Sequence, residues 1–381
     1  MRTNGFFEFL AHTIELTDPR VDRGYNYCLK EMVALAICGT ICGADSWADI
    51  ERFARTHQWW FEQFLELERG VPSHDTFGRV FSRLDSDEFY NCVIKWIHEL
   101  DLSLQGCAVN IDGKTLRGSH DRAADQSPLH IVSAWANELK ICIGQRAVDS
   151  KSNEIPAVQE LLDMLQLEGA VVTMDAMHCQ KKTLRKIHEA EADYVVQVKG
   201  NQDKLHERLR AEVDRWAEKN FEVPRLRTHS KTERSHGRTE SRTCMVHPAP
   251  ADLKKQWPGL KTIGIIFRER TLSCGKQTSE TTVFISSLPS RVRDHVKYLR
   301  AHWGVENELH YTLDVTFKED SSRIRKGSGP EVCAGFRRLA LSILKADTTI
   351  KDNVRGKRLL AGWNTDNLHK ILTGFQQFQA A

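Results

Sequence analysis

The pattern of apolar and polar positions changes character near residue 107. Before it, apolar residues recur at the spacing of a helix face. Tyr27–Ala44 is apolar with helical spacing, Ser46–Arg55 is amphipathic behind a serine cap, and Asp87–Leu100 predicts a further helix. Ser73 is placed to cap another helix, with His74, Asp75 and Thr76 in its first turn. That helix has the entry of a DNA-recognition helix, and an ordinary capped packing helix accounts for the same residues.

After residue 107, short apolar runs replace the helical period. Strands are predicted at Ala108–Asp112, Leu129–Ala136 and Leu139–Val148, then a helix at Pro156–Leu165. The stretch AVVTMDA (170–176) reads as a strand, Gln180–Ala190 as a helix, and DYVVQVKGNQ (193–202) as a strand. The order is β-β-β-α-β-α-β, an α/β fold class. Its first three strands can form a meander, and the later ones need helical crossovers. A long charged helix follows Lys204, then strands at Thr262–Arg268 and Thr281–Ser287, and a broken helical region from about Arg291 to Lys345.

Candidate chemistry begins at AVNIDGKTLRGS (108–119). Gly-Lys-Thr suggests a phosphate-binding loop, but such a loop needs a glycine five residues before Gly113, where Ala108 stands. The residue left to explain is Asp112, and Asp175 has the same context at the end of an apolar run. If the two strands are neighbours, both carboxylates point at one spot. Acids gathered so closely repel, and a divalent cation offsets the repulsion. A third carboxylate is expected on the later helix, within YLRAHWGVENELHYTLDVTFKED (298–320).

Composition narrows the picture less than charge distribution does. Of 381 residues, 40% are hydrophobic and 28% charged, a globular balance, and the net charge of +3 alone requires no polyanion. The charge is clustered, however: Arg225, Arg227, Lys231, Arg234, Arg238 and Arg242 fall in one stretch, with Arg323, Arg325 and Lys326, and Arg355, Lys357 and Arg358, in two others. Three such groups suggest nucleic acid. The ten cysteines form no CxxC pair, which argues against a zinc ribbon, and Cys38 and Cys42 fit core packing. Phe6–Ala11 is broken by Glu8 and is no signal peptide, and Met32–Ala44 is too short to span a bilayer. A reducing cytoplasm is expected.

The blocks PSHDTFGRVFSRL (72–84), IDGKTLRGS (111–119), KSNEIPAVQELL (151–162), TMDAMHCQKK (173–182), DYVVQVKGNQ (193–202) and HWGVENELHYTLDVTF (302–317), in this order, resemble the DDE transposases. The resemblance is closest to the IS-four-like relatives of the ISAs-one group, including the H-repeat-associated proteins, and covers residues 5 to 375. It implies a ribonuclease-H-like mixed sheet flanked by helices, with a helical N-terminal domain and a β-rich insertion. The implied division is 1–100 for a DNA-binding helical domain, 101–345 for the catalytic core with the insertion at about 205–290, and 346–381 for a helical tail. It also implies the triad Asp112, Asp175 and Glu306, binding Mg2+ or Mn2+. Two such ions would carry out in-line phosphodiester hydrolysis and then strand transfer.

By position, Lys114 and Arg117 are candidate phosphate contacts, Lys199, Asn201 and Gln202 would orient DNA, and Arg234 and Arg238 lie in the basic stretch. IS-four enzymes often carry Tyr and Arg seven and four residues before the Glu and Lys seven after it. Here these positions hold Leu299, His302 and Leu313. Either His302 takes the arginine's place on a phosphate, or the contacts there differ. The implied partner is double-stranded DNA, both terminal repeats and target, with no membrane, a homodimer when two ends are paired, and a cytoplasmic, nucleoid-associated location. An inactive DNA-binding remnant and a nuclease of the same fold are the rival readings.

The choice of Glu306 over Glu308 rests on helix geometry. At about 100° per residue, Leu299, His302, Trp303, Glu306, His310 and Leu313 share one mostly apolar face. That face is expected against the sheet, with Glu308 solvated on the other side near Lys297, Gly304 and Tyr311.

Overall fold

A computed structural model describes residues 5–20, 26–120, 127–149, 152–235 and 238–374, so the last seven residues of the expected tail lie outside the described residues. The chain forms two compact units, each assembled from separated stretches. One comprises Met1–Ser103, Gly113–Leu165 and Val305–Ala381, and the other Leu104–Asp112 and Gln166–Gly304.

Nine strands are seen among the described residues: β1 (Ala108–Thr115), β2 (His130–Ala136), β3 (Ile141–Ala147), β4 (Val171–Met174), β5 (Asp193–Val198), β6 (Arg227–Ser235), β7 (Arg238–Pro248), β8 (Thr262–Leu272) and β9 (Gln277–Ser286). Their hydrogen-bonded order is β3-β2-β1-β4-β5-β9-β8-β7-β6, which with the helices makes a mixed α/β fold. β1, β4 and β5 run parallel, and β5 through β6 are joined antiparallel.

In the unit holding Asp112 and Asp175, the parallel strands are buried nearly throughout. This explains their mostly apolar runs, since a parallel strand covered on both faces has no solvent side to alternate. Helix Val292–Ala301 closes one face, with Tyr298 and Leu299 packed among Ala108, Val171, Val195, Val246, Ile266 and Phe284. The β-rich insertion extends the sheet directly, because β9 pairs with β5. Gly264 lets the backbone of β8 pass the Phe284 ring, where a Cβ would stand 2.2 Å from the ring. The pair β6 and β7 was not legible as strands. Arg227–Arg234 is almost wholly exposed and alternates charged or imidazole side chains with hydroxyls over most of its length, so no apolar face marks the period of two.

The other unit is built around helices Leu29–Ile41 and Gly329–Ala346, both buried on nearly every side. The predicted caps form: Ser46 Oγ accepts from the Asp49 amide at 3.2 Å and Ser73 Oγ from that of Thr76 at 3.4 Å. Helix His74–Phe81 buries Phe77, Val80 and Phe81, and Phe81 stacks on Trp47 and meets Phe336 edge-on. Its apolar side is a packing face, and His74, Asp75 and Arg79 remain exposed. Among the described residues no helix is long and apolar enough to cross a membrane.

Within this core Arg338 and Glu319 form an ion pair at 2.8 Å, with essentially no solvent access, and Arg338 Nε donates to Ser133 Oγ. Removing one partner strands the other charge in apolar surroundings. Glu319→Ala is therefore expected to lower stability by about 3–5 kcal/mol, measured by urea denaturation.

Candidate active site

β1 and β4 pair in register from Ala108↔Val171 to Ile111↔Met174. Side chains alternate along a strand, so the rung Asn110/Thr173 faces one side, Ile111/Met174 the other, and Asp112/Asp175 returns to the side of Asn110 and Thr173. Thr173 Oγ1 donates to Asn110 Oδ1 at 2.8 Å, as that shared side requires. The two aspartates thus follow the last paired rung of neighbouring parallel strands, which lie about 4.8 Å apart. β1 does not stop at Asp112 as its apolar run suggested. It continues to Thr115, and the Leu116 amide then donates to Leu129 O.

Asp112 is half-buried and Asp175 exposed. His302, buried at the end of helix Val292–Ala301, stands with Nε2 3.7 Å from Asp175 Oδ1 and Nδ1 3.0 Å from Thr173 Oγ1. The imidazole is the largest influence on Asp175 and holds its carboxyl below the usual carboxylate range, against the opposing effect of burial, with Lys199 acting in the same sense. The ends of β4 and β5 are tied together beside it: Asn201 Nδ2 donates to Ala176 O at 2.7 Å and Gln202 Nε2 to Gln180 Oε1 at 3.1 Å. Lys199 is exposed at the same strand end.

Glu306 belongs to the other unit and is exposed there. The helical-face expectation is corrected at this point. Val305–His310 is a π-helix, flanked by α-helices Val292–Ala301 and Tyr311–Val315. Its i→i+5 bonds accommodate an extra residue in the turn, so the α-helical count does not carry through. Leu299, His302 and Leu313 are buried as that face required, but Trp303 is exposed, its ring facing the Arg268 guanidinium at 5.1 Å. Glu308, expected in solvent, is half-buried between Lys140 at 2.7 Å and Lys345 at 3.1 Å. Among the described residues no ion pair or hydrogen bond engages the Glu306 carboxylate.

Lys114 is not displayed for a phosphate. It is buried, with Asp314 and Asp320 each at 2.8 Å and Glu319 at 3.7 Å. Burial opposes its charge, and the three acids outweigh burial and raise its pKa. Arg117 lies 3.4 Å from Asp320 but is 84% exposed. Arg234, near the end of β6, and Arg238, at the start of β7, are exposed, whereas Arg242 and Lys231 are neutralised by Glu233 and, for Arg242, also by Glu240. Sequence reasoning passed over Asn110 and Thr173, although each is a polar residue two places before an acid in an otherwise apolar run. Buried polar side chains need partners, and that signal was available.

The donor chemistry suits a hard divalent cation. Mg2+ is commonly held by one or two carboxylates and completed by water and substrate phosphates, and Asp112 and Asp175 are donors of that chemistry. Among the described residues no three His, Cys, Asp or Glu side chains converge as a closed metal cage.

Fold and site together define a mixed α/β protein in which an acid follows the last paired rung on each of two neighbouring parallel strands. Residues 104–343 match the family model described as Transposase DDE domain, and residues 10–97 the model described as DDE_Tnp_1-associated. The chain belongs to the DDE transposase family. It is 35% identical over 373 residues to "H repeat-associated putative transposase YhhI" of Escherichia coli (strain K12), covering 96% of this chain and 98% of that one. It is 35% identical over 362 residues to "Putative transposase YncI" of Escherichia coli O157:H7, covering 94% and 92%.

The lysine clamp on Glu308 has a pH signature. Burial alone would raise its carboxyl, but Lys140 and Lys345 prevail and hold it below the usual range. A depressed folded value stabilises the protein above the unfolded carboxyl's value of about 4.3, and that stabilisation is lost as pH falls through the folded value. Glu308→Gln should cost roughly 1 kcal/mol at pH 7, after allowance for solvent screening. In urea melts its deficit relative to wild type should shrink steadily below about pH 4.

Proposed function

We propose that this transposase cuts and joins DNA by two-metal-ion chemistry on a ribonuclease-H-like core, as a member of the IS-four-like ISAs-one group. The observation that supports the reading is the β1–β4 register, whose last rung, Ile111↔Met174, is followed in each chain segment by Asp112 and Asp175. Asp112, Asp175 and Glu306 would hold Mg2+ or Mn2+. When bound, such ions activate water or a 3′-hydroxyl and stabilise the leaving oxygen. Glu306 is preferred to Glu308 because the Glu308 carboxylate is engaged by two lysines, while that of Glu306 is exposed.

Around the acids, Lys199, Asn201 and Gln202 would orient the DNA strand, with Asn201 bonded to the backbone just after Asp175. Arg117 is the phosphate contact offered by the exit of β1, and the acids around Lys114 assign that lysine to holding the exit in place. Arg234 and Arg238 would grip the DNA backbone from the adjoining ends of β6 and β7. Residues 1–100 would contribute DNA binding through the exposed side of helix His74–Phe81. Double-stranded DNA is the substrate, a homodimer would pair two ends, and the cytoplasm, at the nucleoid, is the place of action.

The decisive experiment incubates the protein with Mg2+ or Mn2+ and the DNA flanking its own gene. Cleaved and joined products support the reading, cleavage without joining identifies a nuclease, and binding alone an inactive remnant. Asp112→Asn, Asp175→Asn and Glu306→Gln should each reduce cleavage at least about a thousandfold, a loss on the order of 4 kcal/mol of transition-state stabilisation, while DNA affinity changes little. Glu308→Gln should keep cleavage, and if it alone abolishes it the third carboxylate is misassigned.

A second expected outcome concerns salt. Each phosphate neutralised contributes about 0.9 to the slope of log affinity against log salt. Replacing both Arg234 and Arg238 with Ala should flatten the slope by up to about 1.8, and an unchanged slope removes these two arginines from the DNA interface.

A further inference from the structure

Beyond Asp112 the strand β1 is held on both of its faces. Successive side chains alternate, so Lys114 projects to one face and Gly113 and Thr115 belong to the other. On the first face Lys114 is gripped by Asp314 and Asp320. On the second, one imidazole bridges two elements. His130, the first residue of β2, meets Thr115 Oγ1 through Nδ1 at 2.7 Å and Glu154 Oε1 through Nε2 at 2.7 Å. The carboxylate can only accept, so Nε2–H donates to it. The hydroxyl can give or take a hydrogen, so it satisfies Nδ1 with the ring neutral or charged, and the bridge does not depend on the charge of the ring.

Glu154 is itself anchored. It opens helix Glu154–Met164, where Asn153 Oδ1 caps the Ile155 amide at 3.0 Å and Ala157, Val158, Leu161 and Leu162 bury the inner side. A carboxylate in the first turn also suits the helix dipole. The bonded pair lies directly across the backbone of Gly113. A Cβ there would collide with His130 Nε2 and stand 2.7 Å from Glu154 Cδ and Oε1. The backbone of Gly113 is not left-handed, so the demand for glycine is one of space. Gly113, Thr115, His130 and Glu154 all belong to one compact unit, and Asp112 is joined to Gly113 by a planar peptide.

We propose that the His130–Glu154 pair is a positioning device for Asp112: seated on Gly113 and tied to Thr115, it fixes the peptide that follows the acid and so the way its carboxylate is presented to the divalent cation. The inference rests on the proposed metal-dependent function and deepens it by giving Gly113, His130 and Glu154 a part in that site. Groups that hold a metal ligand in place typically contribute about 10–100-fold to metal affinity.

The test uses the full chain and Mn2+ alone, with bound ion counted by electron paramagnetic resonance and folding of each variant checked by thermal melting. Glu154→Ala, which removes the acceptor, should bind Mn2+ at least about tenfold more weakly. Glu154→Gln keeps an acceptor for Nε2–H and should bind close to wild type. Gly113→Ala tests the seat. The atoms its methyl would meet are the ends of two side chains that can move, so the chain should fold with the pair parted and lose Mn2+ affinity to the same extent. It reads the same quantity where Glu154→Ala does not fold. A double variant separates positioning from general packing: in an Asp112→Asn background, either change should weaken Mn2+ binding no further. A fully additive loss there, or wild-type binding by both single variants, overturns the positioning role and leaves the proposed function standing. Mn2+ binding indifferent to Asp112→Asn overturns both.

Discussion

The parallel register between β1 and β4 is the constraint on which the site depends. Because side chains alternate with a period of two, pairing Ile111 with Met174 fixes the side on which the rungs before and after them project. A slip of one residue would turn one aspartate into the apolar layer that holds Ile111 and Met174, where an ionised carboxylate is costly. The same register brings Asn110 against Thr173. One alignment thus sets the buried polar rung just before the two aspartates, and that rung in turn anchors His302 and the end of helix Val292–Ala301.

Charge is distributed by a second rule: buried ions are matched where they stand. Lys114 lies among Asp314, Asp320 and Glu319, and Glu319 is shared with Arg338. Glu308 takes one lysine on each oxygen. These matches remove candidates that residue type alone would offer to DNA or metal. Arg117, exposed although it lies 3.4 Å from Asp320, and Arg234 and Arg238 are among the basic groups that face solvent, where a polyanion can meet them. A net charge of +3 is therefore a poor guide to this surface, since so much of the basic complement is neutralised internally.

Much of this was legible in the chain. The apolar runs ending in Asp112 and Asp175 identified two buried strands, because burial on both faces leaves a continuous apolar signal, and β5, β8 and β9 were found in the same way. Ser46 and Ser73 marked helix starts, because a cap bond is local and needs only the next three residues. The ordered motif blocks also carried the family resemblance.

Tertiary structure decided the rest, wherever the determining contact is remote in sequence. Which strands are neighbours, and in what register, depends on pairing across about sixty residues. The hairpin β6–β7 is held by its place on β8 rather than by any apolar face of its own. The π-helix at Val305–His310 broke the α-helical count that had placed Glu306 on a covered face and Glu308 in solvent. Lys114 reads in sequence as a free cation beside Asp112, and only the return of Asp314, Glu319 and Asp320 two hundred residues later encloses it. Local patterns specify which face of an element can be buried; what meets that face, and so which charges stay free to act, is set by the packing of distant segments.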